Sequence, residues 1–568
     1  MVILGIAAFY HDSSAAIMVD GKIVAAAQEE RFSRIKHDNS FPTHACEYCL
    51  KESGLSIDDI DTVVFYEKPF LKFERILVSQ IVSAPKSLPI FLRVMPVWLK
   101  EKLNMRKLMA KNLKRVFGKA PKRVEFVEHH LTHAALAYVT SGFSEADILV
   151  VDAVGEWATT SILHADESGI DIIKEQRFPD SVGFLYSAFT QFLGFKVNSD
   201  EYKVMGLAPY GDVNTEETQR FINLIETEIV SIDKQGFPTL NLKYFKFLYS
   251  DTTIHRENWE RLFRIRQRAS KEEVIQSHKN LAYAIQFVTE KILLNILQTS
   301  ADFKSRNLCL SGGVALNCAA TGVINKNGIF DRVFTPFAPG DCGCSIGAIA
   351  AYCIINQIAL DRKISPYLGP QFDDKEILHQ LESEGMEYHE FQSEEELCSE
   401  VARQIAEGKI IGWFQGRMEV GPRALGNRSI LADARNPRMK DQVNSRIKFR
   451  EAFRPFAPSV LEEYAREIFE GCDSSPYMMS TYEVKTKDIP AVTHVDGTAR
   501  VQTVSKVDNP LYHQLLRSFH RLTGCPVLLN TSFNVMGEPI VGTPSDAIRT
   551  FKNCGLDSLF ISNYMICK

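Results

Sequence analysis

Apolar positions along this chain fall into short blocks whose order occurs twice. Val2–Phe9 reads as a strand, Ala15–Val19 as a second, Asp20-Gly21 as a hairpin turn and Lys22–Gln28 as a third. Asp147–Val151, Thr159–His164 and Ile170–Glu175 repeat that order, with a turn at Glu167-Ser168-Gly169. The openings share wording, Ile3-Leu4-Gly5-Ile6 against Ile148-Leu149-Val150-Val151, and helical sequence follows each triplet. A repeated three-strand unit with trailing helices predicts two similar α/β halves.

That is the plan of the actin/sugar-kinase/heat-shock ATPase class, in which nucleotide lies between the halves. Leu308–Asn317 reads as a buried strand, a glycine turn at Gly312-Gly313 and a helix start, and backbone N–H groups there can hold phosphate. Pro339-Gly340-Asp341-Cys342-Gly343 is a second glycine loop, opening the Ala-rich helix Ser345–Ile355. Residues 212–300 read as a polar, helical insertion or lid, and 356–370 as a linker. A smaller α/β domain follows, with a helix over Glu394–Glu407 and strands at Lys409–Phe414, Val501–Val504 and Val527–Leu529. The expected organisation is a duplicated domain over 1–357, a linker and the start of the second domain over 358–392, and a C-terminal domain over 393–568.

Composition narrows the class. The 568 residues are 45% hydrophobic and 24% charged, as in soluble globular proteins, and exceed one domain. A net charge of −5 argues against a general nucleic-acid binder. The N-terminus has no basic start of a signal peptide, and Pro85, Pro89 and Pro96 interrupt the most apolar stretch, 76–99, which argues against a membrane span. The twelve cysteines form no zinc-knuckle pairing, so reduced thiols and a cytoplasmic location are expected.

Two stretches carry chemistry. His129 and His133 stand one helical turn apart and can grip one divalent ion. The strand ending at Asp152 and the loop at Asp341 can each deliver a carboxylate, a donor set better suited to Fe(II), Zn(II) or Mn(II) than to Mg(II) or Ca(II). A pair of satisfied helix histidines is the alternative reading. A metalloprotease lacks support, because the pair has no glutamate of an HExxH helix. In the C-terminal domain, Arg423, Asn444, Lys448, Arg450, Arg454 and Arg500 precede Asn530-Thr531-Ser532-Phe533-Asn534. Guanidinium groups bind phosphate or carboxylate bidentately, so this pattern predicts an anion pocket, with a solvated basic surface as the alternative.

Across nearly the whole length the chain resembles the O-carbamoyltransferases of the nodulation and tobramycin-carbamoylating type. The resemblance rests on His11-Asp12-Ser13-Ser14, Glu29-Glu30-Arg31-Phe32-Ser33-Arg34-Ile35-Lys36-His37, Glu128–Ala134, Tyr202–Leu207, Gly421–Ser429, Phe453–Pro458 and Leu529–Asn534. The N-terminal part is similar to the synthase that places threonylcarbamoyl on tRNA, and the C-terminal part to the domain that makes its acyl-adenylate. The resemblance implies that carbamoyl phosphate and ATP (with Mg) form carbamoyl-adenylate in the C-terminal domain, and that an acceptor hydroxyl attacks it at a metal, Fe(II) first among candidates. It implies His129, His133, Asp152 and Asp341 as metal ligands and Arg423, Lys448, Arg454, Arg500, Asn530 and Ser532 as the carbamoyl phosphate and ATP pocket. His11 is then the candidate base and Lys36 a phosphate-steadying residue. Gly312, Gly313, Asn317 and Asp341 are expected at the nucleotide.

From Lys100 to Arg123 basic residues crowd against a single acid, Glu101, directly after the apolar stretch. A basic amphipathic helix there suits peripheral contact with an anionic or lipid-linked acceptor, or else packs with its lysines solvated. The acceptor is expected to be a hydroxyl of a sugar-containing molecule or natural product, with no nucleic acid partner and a homodimer as the general prior. The competing functions are a tRNA threonylcarbamoyl transferase and a non-catalytic actin-like nucleotide binder. The former needs an RNA-binding surface, and the latter has no use for the arginine-rich pocket.

Overall fold

The computed structural model describes every residue except Glu101 and Ala301, and for Lys100 the backbone alone. Glu101 and the Lys100 side chain of the basic stretch therefore lie outside the described residues. The chain forms two compact units. The first holds Met1–Phe9, Ser14–Val24 and Phe41–Ile364, and the second holds Tyr10–Ser13, Ala25–Ser40 and Ser365–Lys568.

β1 (Val2–Ala7), β2 (Ser14–Val19), β3 (Lys22–Gln28, of which Lys22–Val24 belong to the first unit), β4 (Thr62–Phe65) and β5 (Val124–Phe126) form a sheet of order β3-β2-β1-β4-β5. β1 runs antiparallel to β2, with Ile3 opposite Met18, and parallel to β4, which runs parallel to β5. The chain continues through β6 (Ala146–Val151), β7 (Ala158–Asp166), β8 (Gly169–Arg177) and a small hairpin of β9 (Val230–Ile232) and β10 (Pro238–Leu240). β11 (Asn307–Ser311) and β12 (Arg332–Phe334) then complete a second sheet, β12-β11-β6-β7-β8. β6 is antiparallel to β7 and parallel to β11, which is parallel to β12. The two sheets have one topology, so the expected duplication is present. Buried parallel strands need apolar residues on both faces, and β1, β6 and β11 supply them.

Residues 212–300, expected as an insertion or lid, fall into two parts. Helix Gln276–Thr299 buries Leu281, Ile285, Val288 and Ile292 as the crossover leading into β11. The earlier part has its own aromatic core, where Trp259 packs on Phe189 and Phe192 with ring centroids 4.7 and 5.4 Å apart. Its polar surface hid that core from a reading by composition.

Two contacts set the geometry of the first unit. A Cβ on Gly347 would stand 2.1 Å from the Thr132 carbonyl oxygen, and one on Gly5 2.0 Å from that of Ser345. Helix Cys344–Ile355 therefore lies tightly on helix His129–Ser141 and on β1, at distances that no other side chain permits.

The second unit is built on an eight-stranded mixed sheet. Its strands are β13 (His389–Glu390), β14 (Ile411–Phe414), β15 (Arg428–Asp433) and β16 (Ala457–Leu461). β17 (Thr481–Glu483) and β18 (Thr498–Arg500) form a separate ribbon before β19 (Gln502–Val504), β20 (Val527–Ser532), β21 (Ser558–Ile561) and β22 (Tyr564–Cys567). The order is β13-β22-β21-β14-β15-β20-β16-β19, with β20 antiparallel to both neighbours. The expected strand at Val501–Val504 is β19, and Arg500 ends the ribbon strand β18. Trp413, Leu528 and Phe560 are fully buried beneath the sheet's helices.

Candidate functional site

The first unit converges on the histidine pair. Helix His129–Ser141 starts where the His129 N–H donates to the Glu156 carboxylate at 3.1 and 3.2 Å. One turn along, His133 places its Nε2 3.1 Å from that of His129. Asp152 follows the end of β6 and sets Oδ2 3.2 Å from His129 Nε2 and 3.3 Å from His133 Nε2. Its other oxygen accepts from the Ala153 N–H at 2.7 Å, which fixes the carboxylate's orientation. Asp341, in the turn before helix Cys344–Ile355, sets Oδ1 3.6 Å from both imidazole nitrogens. Gly313 and Gly155 make room, since Cβ atoms there would lie 3.0 Å from Asp152 Oδ1 and 3.1 Å from the His129 ring.

These four donors fit a metal ion. A tetrahedral site with bonds of about 2.0–2.2 Å has ligand–ligand edges of roughly 3.3–3.6 Å, and the five edges above bracket that range. Burial disfavours charge on His133, yet Cys344, Asp152 and Asp341 outweigh it and raise its pKa well above the usual value. Burial likewise opposes ionisation of Asp152, and His129 and His133 still hold its pKa well below the carboxylate range. Positive charge is thus favoured at the point where the four groups meet. His129 Nδ1 is buried without a hydrogen-bond partner among the described residues. His130, in contrast, faces away to Ser161 Oγ at 2.7 Å, and burial, with His129 adding, pushes its pKa down to about 3.

Cys344 is a fifth nearby donor that the sequence reading passed over. Its Sγ lies 3.7 Å from His133 Nδ1 and 3.6 Å from Nε2. A sulfur equidistant from both nitrogens rests against the ring face, off both lone-pair directions. Burial pushes its thiol pKa up, with His133 opposing.

The expected nucleotide loop is partly committed elsewhere. Gly312 (φ +87°) turns the chain under Val151, and its N–H donates to Pro339 O at 2.9 Å. Asn317 caps helix Cys318–Asn327 through the Ala320 N–H at 3.1 Å and exchanges hydrogen bonds with Gln286 at 2.9 and 3.1 Å. Gly313 remains beside Asp152.

In the second unit, Lys448 is buried, and its Nζ donates to the Ser532 and Asn534 carbonyls, to Asn534 Oδ1 at 2.7 Å and to Ser532 Oγ at 3.3 Å. Burial, then Arg450 and Arg454, and further Lys36, drive its pKa well below the usual lysine value. Arg454 is within 3.8 Å of Glu451. Asn530, on β20, donates to Ala424 O at 3.2 Å, Ser459 Oγ at 3.0 Å and Gln502 Oε1 at 2.9 Å, so the loop bearing Arg423 rests on it. Glu419 Oε1 shapes that loop by accepting from the Leu425, Asn427 and Arg428 N–H groups at 2.8, 2.7 and 3.1 Å. Arg500 lies two residues before Gln502, beside His494, whose pKa burial pushes down to about 4, with Asp496 opposing and Arg500 assisting. Arg428, by contrast, is a scaffold residue. It is fully buried, donates to Pro370 O at 3.0 Å and Gly416 O at 3.1 Å, and stacks on Phe414.

His11 and Lys36 both belong to the second unit. The strand expected to reach Phe9 stops at Ala7, because Phe9 and Asp12 adopt φ of +76° and +50°. Asp12 there bridges two histidines, 3.0 Å from His11 Nδ1 and 2.8 Å from His37 Nδ1. Burial opposes its ionisation, but His11 and His37 hold its pKa far below the carboxylate range. Glu30 accepts from the His37 N–H at 2.9 Å.

Residues 2–350 match the family described as Carbamoyltransferase N-terminus, and residues 402–568 that described as Carbamoyltransferase C-terminus. The chain belongs to the carbamoyltransferase family. This carbamoyltransferase is 43% identical to the uncharacterized protein sll1178 of Synechocystis over 100% of its length and 96% of the relative's. It is 39% identical to the nodulation protein NolNO of Sinorhizobium fredii over 99% of its length and 79% of the relative's. To the nodulation protein NolO of Bradyrhizobium diazoefficiens it is 37% identical over 78% and 79%. Among the groups gathered in these clusters, Asp12, His37, Glu156, Glu419 and Cys344 are ones that motif reading left without roles. His37 and Glu30 stood in a quoted motif, but which of its charges meet depends on left-handed backbone at Arg34 and His37.

Proposed function

We propose that this carbamoyltransferase activates carbamoyl phosphate with ATP and transfers the carbamoyl group to a hydroxyl of a sugar-containing or natural-product acceptor. The observation that carries the reading is Lys448, a buried lysine whose strongest charged neighbours are further cations. An anion offsets that cost, and phosphate groups fit the arginine forks around it. For atoms to balance, water releases phosphate from carbamoyl phosphate, and the carbamate oxygen attacks the α-phosphorus of ATP. Pyrophosphate leaves and carbamoyl-adenylate forms. Lys448, Arg454, Arg423, Arg500 and Lys36 hold the phosphates, while Asn530 and Ser532 complete the shell.

The acceptor hydroxyl then attacks the carbamoyl carbon and AMP leaves. Asp12 accepts from His11 Nδ1–H, which leaves Nε2 as the nitrogen that takes the acceptor's proton. His129, His133, Asp152 and Asp341 would hold a divalent metal, Fe(II), Zn(II) or Mn(II), supplying Lewis-acid polarisation and a template for the adenylate.

The test measures AMP and pyrophosphate from ATP, with and without carbamoyl phosphate, and O-carbamoyl product separately. Arg454→Ala is expected to abolish adenylate formation, whereas His129→Ala leaves it and blocks transfer. Equal loss of adenylation in both variants would refute the division of labour. AMP formation supported by threonine and bicarbonate instead of carbamoyl phosphate would assign the enzyme to threonylcarbamoyl chemistry.

A further inference from the structure

Two helices of the first unit leave much hydrocarbon in water. On Pro69–Val82, Phe70, Ile81 and Val82 are 72%, 64% and 75% exposed, and Leu71 and Val78 are exposed beside them. On Leu88–Lys100, Leu88, Leu92 and Leu99 are 55%, 63% and 63% exposed. The spacings 71-78-82 and 88-92-99 each trace one helix face. Both helices already have an inward side, where Phe73 meets the buried Trp98 at 5.8 Å. The exposed stripes are thus second apolar faces. Folded proteins scatter single exposed leucines but rarely line them up. The acid in the first stripe, Glu74, accepts from Trp157 Nε1 at 3.3 Å.

The helix that follows, Met105–Phe117, buries Met105, Met109 and Leu113 and turns Lys107, Lys111, Lys114 and Arg115 to solvent. Among the described residues these four cations make no ion pair, whereas Lys119 and Lys122 downstream face Asp58 and Asp61. On a chain of net charge −5 this is a local cationic stripe.

The side-chain chemistry selects the partner. Protein interfaces concentrate aromatic residues, Met and Arg and are depleted of Lys. Helices lying in a membrane surface pair an aliphatic face with lysines that reach lipid phosphates. Among the described residues no helix is long and apolar enough to cross a membrane, so the segment suits the interface plane. A two-fold contact of this face with itself would bring the same unpaired cations of two copies together. We propose that helices Pro69–Val82, Leu88–Lys100 and Met105–Phe117 dock this carbamoyltransferase on a bilayer surface rich in anionic phospholipid.

The experiment is co-sedimentation of the full chain with phosphatidylcholine vesicles, alone or with a third of the lipid replaced by phosphatidylglycerol. Binding is expected only with phosphatidylglycerol, and it weakens as salt is added. The triple variant Lys107→Gln/Lys111→Gln/Lys114→Gln is expected to lower partitioning roughly 100-fold, about fivefold per charge. Leu88→Ser/Leu92→Ser is expected to reduce binding at least as much, and both variants keep the parent's thermal midpoint. The proposal is overturned by absence of binding, by equal binding to both vesicle types, or by binding that survives both variants. A doubled mass in solution that the leucine variant abolishes would equally overturn it, assigning the face to a second copy.

Discussion

Asp12 shows how much a single carboxylate can organise. It holds two imidazoles from a left-handed backbone position, a strained conformation that the surrounding bonds must stabilise. Asp12→Asn is expected to lower kcat for transfer by about 10²-fold with KM for carbamoyl phosphate little changed, since it removes the orientation of His11. A rise in KM with kcat unchanged would show that the histidine is not the base. Lys448 supports a prediction with a definite sign. Burial, Arg450, Arg454 and Lys36 lower its pKa in the folded protein. The unfolded chain therefore binds the proton more readily, and stability rises with pH across the window between the lowered and the ordinary lysine values. An anion restores the charged form, so phosphate or carbamoyl phosphate binds with proton uptake in that window and more weakly as pH rises through it. Titration calorimetry in buffers of different ionisation enthalpy reads the uptake; a buffer-independent heat would rule it out. At the histidine centre, Cys344→Ser should retain stoichiometric metal, while Asp152→Ala should lose it. Metal analysis of both proteins separates a four-donor N/O set from one that includes sulfur.

Helix Cys344–Ile355 is the element on which the first unit depends. It touches β1 at Gly5 and helix His129–Ser141 at Gly347, and the Ser14 and Ser345 hydroxyls meet at 2.9 Å. The turn at its start carries Asp341, so the crossing angle of the two helices sets where the fourth donor of the candidate metal site stands. Gly347→Val puts a side chain against the Thr132 carbonyl and must spread the helices. A loss of about 3 kcal/mol in unfolding free energy is expected, together with lost metal. Unchanged metal content in a protein destabilised that much would show that Asp341 does not depend on this packing.

For the whole molecule, two units carry two different charge environments. The first presents imidazole and carboxylate, favouring a cation. The second gathers lysine and arginine, favouring anions. A nucleotide-binding protein without catalysis has no need of both. The threonylcarbamoyl alternative needs an RNA surface, and the cationic stripe on helix Met105–Phe117 borders exposed side chains that are aliphatic apart from Phe70, not a row of aromatic platforms on which RNA bases stack. Carbamoyl phosphate, rather than threonine with bicarbonate, is accordingly expected to support AMP release.

The repeated three-strand unit and the duplication were legible from hydrophobic periodicity, because a buried strand needs apolar residues whatever surrounds it; the strand order within each sheet was not. The histidine pair was legible because helical spacing alone puts His129 and His133 on one face. Other features depend on contacts between residues far apart in the chain. Cys344 meets His133 only because Gly347 lets two helices touch. Arg428 and Arg423 read alike in one motif, yet the first is a buried scaffold held by carbonyls and stacked on Phe414. Residues 212–300 looked like a polar insertion until helix Gln276–Thr299 was seen to fill the core. Local pattern specifies which faces must be buried; what buries them, and which charges then meet, follows from packing alone.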